Sequence, residues 1–151
     1  MKLLLGLYIF FVTQSAFAWA SETSDDVWRS GWGQGWAESE VTHGSGNDIY
    51  VACESGSQMP SLISFELAGR NAPPNSEVLM IFDKKSPEGF QVDDKSVIST
   101  GCNACAENFE YIVRKFKSFS SVYVRFVDGR ESTFTLKGAA KAIGRCAAGW
   151  P

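Results

Sequence analysis

The chain has 151 residues, of which 14 are basic and 17 are acidic, so its formal net charge is −3 at pH 7. A mildly acidic protein has no general electrostatic attraction for nucleic acid or for anionic lipid headgroups, which excludes binding driven by a basic surface. The length fits one domain with an ordinary hydrophobic core.

The N-terminus has the three parts of a secretory signal peptide. One basic residue precedes an apolar run over residues 3–12, and small residues follow up to Ala18 and Ala20. The run is too short to span a bilayer, and the A-x-A pattern predicts cleavage after Ala18 or after Ala20. We therefore expect residues 1–20 to be a signal peptide and residues 21–151 to form a single exported domain, either periplasmic or secreted.

Tryptophan and glycine alternate in the segment that follows. Three glycines within residues 28–36 disfavour a helix, because each costs about 1 kcal/mol relative to alanine. In an extended chain the period of two places Trp28, Trp32 and Trp36 on one face. With Gln34 they are candidate binding residues, since aromatic rings stack on sugars and anchor protein partners. The alternative is that these rings cap the core of a small β domain.

The middle of the chain carries the alternating pattern of half-buried strands. The candidate strands are at residues 49–53, 63–67, 78–82, 90–92 and 97–98. The third candidate is apolar on both faces, which predicts that both faces are covered. Glu38 and Glu40 lie outside these patterns, and we expect them in solvated loops.

The period changes to that of a helix after residue 102. Cys105, Phe109, Ile112 and Phe116 share one face, and charged residues take the other, which predicts an amphipathic helix of about three to four turns.

A hairpin and a second helix are predicted near the C-terminus. A three-residue loop at 127–129 with Gly129 in the left-handed conformation sets Val122 across from Phe134, so that both apolar faces agree. A short helix follows, with Ile143 and Cys146 on its apolar face. The chain therefore reads as an α+β protein: an antiparallel β-sandwich-like domain of about seven short strands with two helices near the C-terminus.

The four cysteines fold in an oxidising compartment if the chain is exported, which favours structural disulfides. Four cysteines allow three pairings, and the sequence does not choose among them. We favour Cys102–Cys105, because two intervening residues suit a local loop, together with Cys53–Cys146, because Cys53 ends a strand.

Two other uses of the cysteines remain open. Cys102 and Cys105 follow a strand-like segment and open a helix, an order that resembles the thioredoxin active-site unit and its reactive thiolate. However, no proline between Pro87 and Pro151 could supply the facing cis-proline loop of thioredoxin-like proteins. The candidate ligands for a zinc site are one Cys-x-x-Cys pair and His43, which lies in a glycine-rich turn. We expect no metal, no cofactor and no catalytic residue.

The C-terminal segment resembles a known family. Its strand at 122–126, the run from Phe134 to Ala139, and Cys146 after an alanine-rich helix are similar to the tail of small exported bacterial β-sandwich proteins. These are proteins of the invasion-associated locus B type and some periplasmic type VI secretion accessories. The resemblance covers roughly the last 25 to 30 residues. It implies a non-enzymatic envelope protein with a disulfide-stabilised sandwich and a binding role.

The function expected from these features is binding of another envelope or secreted protein, in an inhibitor, immunity, exclusion or secretion-accessory role. One alternative is a thiol–disulfide oxidoreductase that uses Cys102 and Cys105. Another is a glycan-binding module that uses the three tryptophans. We do not expect nucleic-acid binding, nor membrane insertion of the mature chain, because no second apolar run approaches about 18 residues.

Overall fold

The alternating segments form antiparallel strands in the computed structural model, which describes residues 24–33, 35–55 and 59–146. The predicted signal peptide and Gln34 lie outside the described residues. Within these residues there are ten strands and two helices. In chain order they are β1 (Arg29–Gly33), β2 (Trp36–Thr42), β3 (Asp48–Glu54), β4 (Leu62–Leu67), β5 (Arg70–Asn71), β6 (Glu77–Phe82), β7 (Glu88–Gln91), β8 (Val97–Ser99), α1 (Asn103–Ser118), β9 (Ser121–Phe126), β10 (Glu131–Thr135) and α2 (Ala139–Ile143).

The first sheet has six strands in the order β1-β2-β3-β4-β5, with β8 paired to β4. The register of β3 with β4 sets Ile49 opposite Phe65 and Val51 opposite Ile63. All four side chains are fully buried. Residues that face each other across an antiparallel pair share a face, so this register directs every second residue of both strands into the core.

The second sheet has four strands in the order β10-β9-β6-β7. The turn between β9 and β10 is the predicted three-residue loop: Gly129 has φ +89°, and the Phe126 N–H donates to the Arg130 carbonyl at 2.9 Å. Val122 consequently lies opposite Phe134, and both are buried. The predicted hairpin register is confirmed.

The helix α1 is 16 residues long and buries its apolar face. Phe109, Ile112 and Phe116 are fully buried, so the predicted amphipathic helix is confirmed. The helix α2 ends at Ile143, earlier than its pattern predicts, and Cys146 therefore lies beyond the helix.

One hydrophobic cluster contains side chains from both sheets and both helices. The ring of Phe116 on α1 lies 6.1 Å from that of Phe82 on β6 and 6.2 Å from that of Trp28, centroid to centroid. Full burial of each such side chain stabilises the fold by about 1.5–3 kcal/mol. The cluster therefore joins the helices to the strands in one core.

Arg130 joins the β9–β10 turn to the β4–β5 turn. Its Nη1 donates to the carbonyls of Leu67 and Arg70 at 2.7 and 2.6 Å, and its Nη2 donates to the carbonyl of Asn71 at 3.0 Å. Asp128 accepts from Nε at 2.9 Å. A planar guanidinium supplies several donors in a fixed arrangement, so one side chain connects the two sheets at this end.

A close backbone approach lies at the turn before β3. The Gly69 N–H donates to the carbonyl of Gly46 at 2.7 Å. Gly46 has φ +70°, and a Cβ built there would lie 2.5 Å from the Gly69 nitrogen. Both the left-handed conformation and the short separation require glycine at this position.

The structure pairs Cys53 with Cys146 and Cys102 with Cys105, which is the pairing that the sequence favours. The first bridge connects β3 to the segment after α2, across 93 positions of the chain. The second bridge spans three positions, at the start of α1.

Two details of the sequence prediction are wrong. The count of about seven strands is too low for the described residues, because the extended stretch at residues 28–36 divides between β1 and β2, and β5 has only two residues. Glu38 and Glu40 do not lie in loops but on β2, where Ser39 between them and Val41 after them are buried. The polar residues on the outer face and the small residues on the inner face concealed this strand.

Candidate functional site

The three tryptophans do not share one face of a single strand, and that prediction is wrong. The chain turns back at Gly35, which has φ +84°, so β1 and β2 form a hairpin with Gly33 opposite Trp36. Trp36 therefore lies on the same face of the sheet as Gly33. Trp32, which precedes Gly33 on β1, points to the other face. Trp28 precedes β1.

The tryptophans also differ in exposure. Trp28 is 8% exposed, and its indole N–H donates to the carbonyl of Thr135 at 2.8 Å, so this ring belongs to the core. Trp36 is partly buried on the outer face of the first sheet. Trp32 is 64% exposed. A platform of three stacked rings does not form, and one exposed indole remains as a binding candidate.

Trp32 lies on the edge of the first sheet. Among the described strands, β1 pairs only with β2 and is therefore an edge strand. We call residues 29–33 the β1 edge. Trp32 is opposite Ala37, which in turn is opposite Cys53, so the indole lies in the same row as the long-range disulfide. Its ring nitrogen lies 3.4 Å from the hydroxyl of Ser55.

The β1 edge lacks most of the devices that protect exposed strands from pairing. Such strands are usually short or interrupted by proline, a bulge or a projecting lysine. The charged residue of this edge is Arg29, whose Nε and Nη2 donate to Glu40 at 3.0 and 2.5 Å. The side chain of Arg29 is only 19% exposed. It therefore lies against the sheet rather than projecting from the edge.

Carboxylates crowd the outer face of the first sheet beside this edge. The register of β2, β3 and β4 brings Glu40 opposite Tyr50 and places Asp48 opposite Glu66. Burial, together with the negative charges of Glu40 and Glu66, raises the pKa of Asp48 to about 7. The Tyr50 hydroxyl donates to Glu38 at 2.6 Å, and burial together with this bond raises the pKa of Tyr50. This face therefore carries a negative field that favours a cationic partner.

Sequence reasoning did not find this face because it depends on the register of three strands. A signal was available in β2, where Ala37, Ser39 and Val41 alternate with Glu38 and Glu40. Small and polar residues give a weak alternation, but it is that of a strand with one solvated face.

The Cys102–Cys105 disulfide lies at the start of α1. Cys102 is the N-cap residue, and its Sγ accepts a hydrogen bond from the Cys105 N–H at 3.2 Å. Cys102 is exposed and Cys105 is partly buried. Of the two cysteines, Cys102 is therefore the residue more exposed to an approaching molecule.

A groove follows α1 from this disulfide. A cavity of about 420 Å³ is lined by Asn103, Glu107 and Glu110. A second cavity of about 480 Å³ shares both glutamates and extends to Phe90 and Tyr111. The two cavities are adjacent, because Glu107 and Glu110 line both, and we call them together the α1 groove.

The family model named YfjT matches residues 26–143, which is most of the chain. The chain belongs to the YfjT family. The matched region begins just before β1 and ends with α2, so it contains both sheets and the α1 groove. Of the four cysteines of this YfjT protein, Cys146 lies beyond the matched residues. No curated protein and no solved structure matches the chain.

The single histidine of this YfjT protein lies on the surface. His43 Nδ1 is 2.9 Å from a carboxylate oxygen of Asp26, and both side chains are about half exposed. Residues 24–33, 35–55 and 59–146 contain no group of three histidine, cysteine or acidic side chains that could hold a metal ion. In the same part of the chain, no helix is long and apolar enough to cross a bilayer.

Proposed function

We propose that this YfjT protein is an exported, non-enzymatic protein that binds another exported protein through the β1 edge. The observation that supports it best is Trp32, a tryptophan 64% exposed on a strand that is at the edge of its sheet among the described residues. An exposed indole on an edge strand is an aggregation liability. A partner that covers it removes the liability and gains a large apolar contact, which is how tryptophan acts as a hot spot.

The binding mode that fits this edge is addition of a strand. An extended segment of the partner gains main-chain hydrogen bonds from the side of β1 that faces away from β2, and its side chains supply specificity. Gly31 and Gly33 leave the outer face of β1 bare, and their neighbours on β2 are Glu38 and Trp36. A basic side chain of the partner above Gly31 would reach Glu38. We therefore expect a partner segment that carries lysine or arginine at alternate positions.

The wider setting is also a proposal. The two sheets pack as a sandwich-like pair, which agrees with a core cluster that draws on both of them. Two disulfides favour folding in the periplasm or outside the cell, in agreement with the predicted signal peptide. The resemblance to proteins of the invasion-associated locus B type also implies an exported protein. That resemblance stays a prediction.

The test uses the mature protein and a partner captured from an envelope extract. After the partner is identified, its affinity is measured for the wild type, for Trp32→Ala and for Val127→Ala. Val127 is 65% exposed on the β9–β10 turn, so it is a matched control for loss of exposed apolar surface. We expect Trp32→Ala to weaken binding about 30-fold or more, as loss of a hot spot does. We expect Val127→Ala to bind like the wild type.

Amide hydrogen exchange tests the mode of binding. Addition of a strand should slow exchange in residues 29–33 when the partner is bound, with little change at the β9–β10 turn. Equal affinity of Trp32→Ala and the wild type would contradict the proposal. Quenching of tryptophan fluorescence by peptidoglycan fragments in the wild type but not in Trp32→Ala would instead favour the glycan-binding alternative.

A further inference from the structure

The two disulfides of the protein have different surroundings. Cys53 is 2% exposed, and its bridge to Cys146 connects separate parts of the fold. The bridge between Cys102 and Cys105 spans three positions within one segment, and Cys102 is exposed. A loop this short restricts the unfolded chain far less than a loop of 93 positions. The short bridge therefore contributes less to the stability of the fold, and its exposed cysteine can be reached by thiols in solution.

We infer that Cys102–Cys105 is a thiol–disulfide exchange site for a partner protein with two thiols, whose reactive segment lies in the α1 groove. The exchange consumes the disulfide once per molecule and is not a catalytic cycle, so it is compatible with a non-enzymatic protein. It goes beyond the proposed binding at the β1 edge and does not depend on it. The inference stands on the exposure of Cys102, its position as the N-cap of a 16-residue helix, and the groove lined by the next residue, Asn103.

The exchange balances in two steps. A thiolate of the partner attacks Cys102 Sγ, a mixed disulfide forms, and the electron pair of the broken S–S bond leaves on Cys105 Sγ, which takes a proton from water. The second thiol of the partner loses its proton and attacks the partner's own sulfur in the mixed disulfide, and Cys102 leaves as a thiolate. The partner's two thiols are oxidised to a disulfide, and Cys102 and Cys105 are reduced to a dithiol.

The structure favours Cys102 as the sulfur that is attacked and later released. It is the more exposed of the pair, so the partner reaches it first. The Cys105 N–H already points at Cys102 Sγ at 3.2 Å, and the positive end of the α1 dipole lies there. Both stabilise the negative charge that develops on Cys102 when it is released.

The groove indicates the chemistry of the partner segment. Asn103, which follows Cys102 in the chain, lines one end of it, and Glu107 and Glu110 line its middle. Phe90, Tyr111 and the cationic Arg114 line its other end. A cysteine followed by basic residues complements the two glutamates, and an apolar residue next to an acidic one complements the end lined by Phe90, Tyr111 and Arg114. We therefore expect the exchanging thiol to lie beside lysine or arginine.

The first experiment compares the two bridges in the oxidised wild-type protein. Reduced glutathione is added, samples are quenched by alkylation, and the modified cysteines are located by mass spectrometry. We expect Cys102–Cys105 to open at least tenfold faster than Cys53–Cys146, while tryptophan fluorescence stays that of the folded protein. Opening of both bridges at the same rate, or of Cys53–Cys146 first, would overturn the inference.

The second experiment measures transfer to a peptide that carries two cysteines, prepared with lysine or with glutamate beside them. We expect the wild type to oxidise the lysine peptide several-fold faster than the glutamate peptide, and Glu107→Gln/Glu110→Gln to reduce this preference. Cys105→Ser, reduced and activated with a disulfide reagent, should exchange through Cys102 at least tenfold faster than Cys102→Ser exchanges through Cys105. No oxidation of either peptide, equal rates for the two peptides, or equal rates for the two single-cysteine variants would overturn the inference.

Both experiments use small probes that do not require the partner of the β1 edge. A negative result here therefore leaves the proposed binding function standing, and failure of Trp32→Ala to weaken binding leaves the exchange site standing.

Discussion

Removal of each disulfide should cost a different amount of stability, and the difference follows from the length of the loop that each bridge closes. In the chain-entropy model, a bridge across 93 positions stabilises the fold by about 4.7 kcal/mol. The same relation gives about 1.6 kcal/mol for a bridge across three positions. We therefore expect loss of the long bridge to lower the free energy of unfolding by roughly 3 kcal/mol more than loss of the short bridge.

The substitutions must not add costs of their own. Cys53 is buried, so Cys53→Ala with Cys146→Ala avoids leaving a hydroxyl group without a partner in the core. Cys102 is the N-cap of α1, so Cys102→Ser with Cys105→Ala keeps a side chain that can cap the helix. With these choices the two variants differ mainly in which loop is opened.

The assay is equilibrium unfolding in urea, followed both by circular dichroism and by the fluorescence of the buried Trp28. The long-loop variant should also show a larger dependence of unfolding free energy on urea, because its unfolded chain is more expanded. Equal losses for the two variants, or a larger loss for the Cys102/Cys105 variant, would refute the reasoning. The second outcome would also show that the short bridge is mainly structural.

Three further predictions concern single residues. The pKa of Asp48 in the folded protein, about 7, exceeds its ordinary value of 3.8, so the folded state binds this proton more tightly and stability falls as the pH rises from 4 to 7. Asp48→Asn should therefore raise the free energy of unfolding at pH 8 by roughly 2 kcal/mol, a value that allows for solvent screening of a partly exposed carboxylate. At pH 4 the substitution should have little effect, and a gain in stability that does not change with pH would contradict this. Gly46→Ala should cost about 2 kcal/mol or more, because a Cβ would lie 2.5 Å from the Gly69 nitrogen. Gly129→Ala, which also has a positive φ but no heavy atom within 4 Å of the added Cβ, should cost only about 1 kcal/mol in urea unfolding, and equal costs would count against the clash. Arg130→Ala should cost about 3 kcal/mol and Arg130→Lys somewhat less, since an ammonium group cannot reach three carbonyls at once; a melting temperature of Arg130→Ala equal to that of the wild type would exclude this role.

Local patterns predicted the parts of the fold in which apolar residues determine structure over a short stretch. Val122 and Phe134 fix the register of the β9–β10 hairpin, because any other register would direct one apolar face to solvent. Phe109, Ile112 and Phe116 mark one face of α1. In both cases the residues that determine the structure are large, apolar and close together in the chain.

The prediction failed where small and polar residues carry the structure. The extended pattern of tryptophans and glycines was interpreted as one strand, although the turn at Gly35 divides it into two. The hairpin reverses the face of Trp36 relative to Trp32, so a single missed turn changed the predicted binding surface. The spacing of the tryptophans is compatible with one continuous strand, and it does not indicate the turn that glycine makes possible.

The site features that the sequence did not predict depend on contacts between distant residues. The crowding around Asp48 requires Glu40 from β2 and Glu66 from β4, and the α1 groove requires Phe90 from β7. No spacing within one segment encodes these neighbours. The cysteines are an exception, because the pairing of Cys102 with Cys105 is local and leaves only one partner for Cys53.

The order of the second sheet has a consequence for how the chain assembles. The strand β9 lies between β6 and β10, yet it follows β6 only after β7, β8 and α1. When the chain folds from its N-terminus, the β6–β7 hairpin can form before β9 is available. Until then, the edge of β6 that pairs with β9 has no partner strand. During that interval Val78, Met80 and Phe82 are open to association with other chains. The chain is therefore most prone to misassembly in the interval before β9 pairs with β6. A chaperone that prevents this misassembly would bind β6.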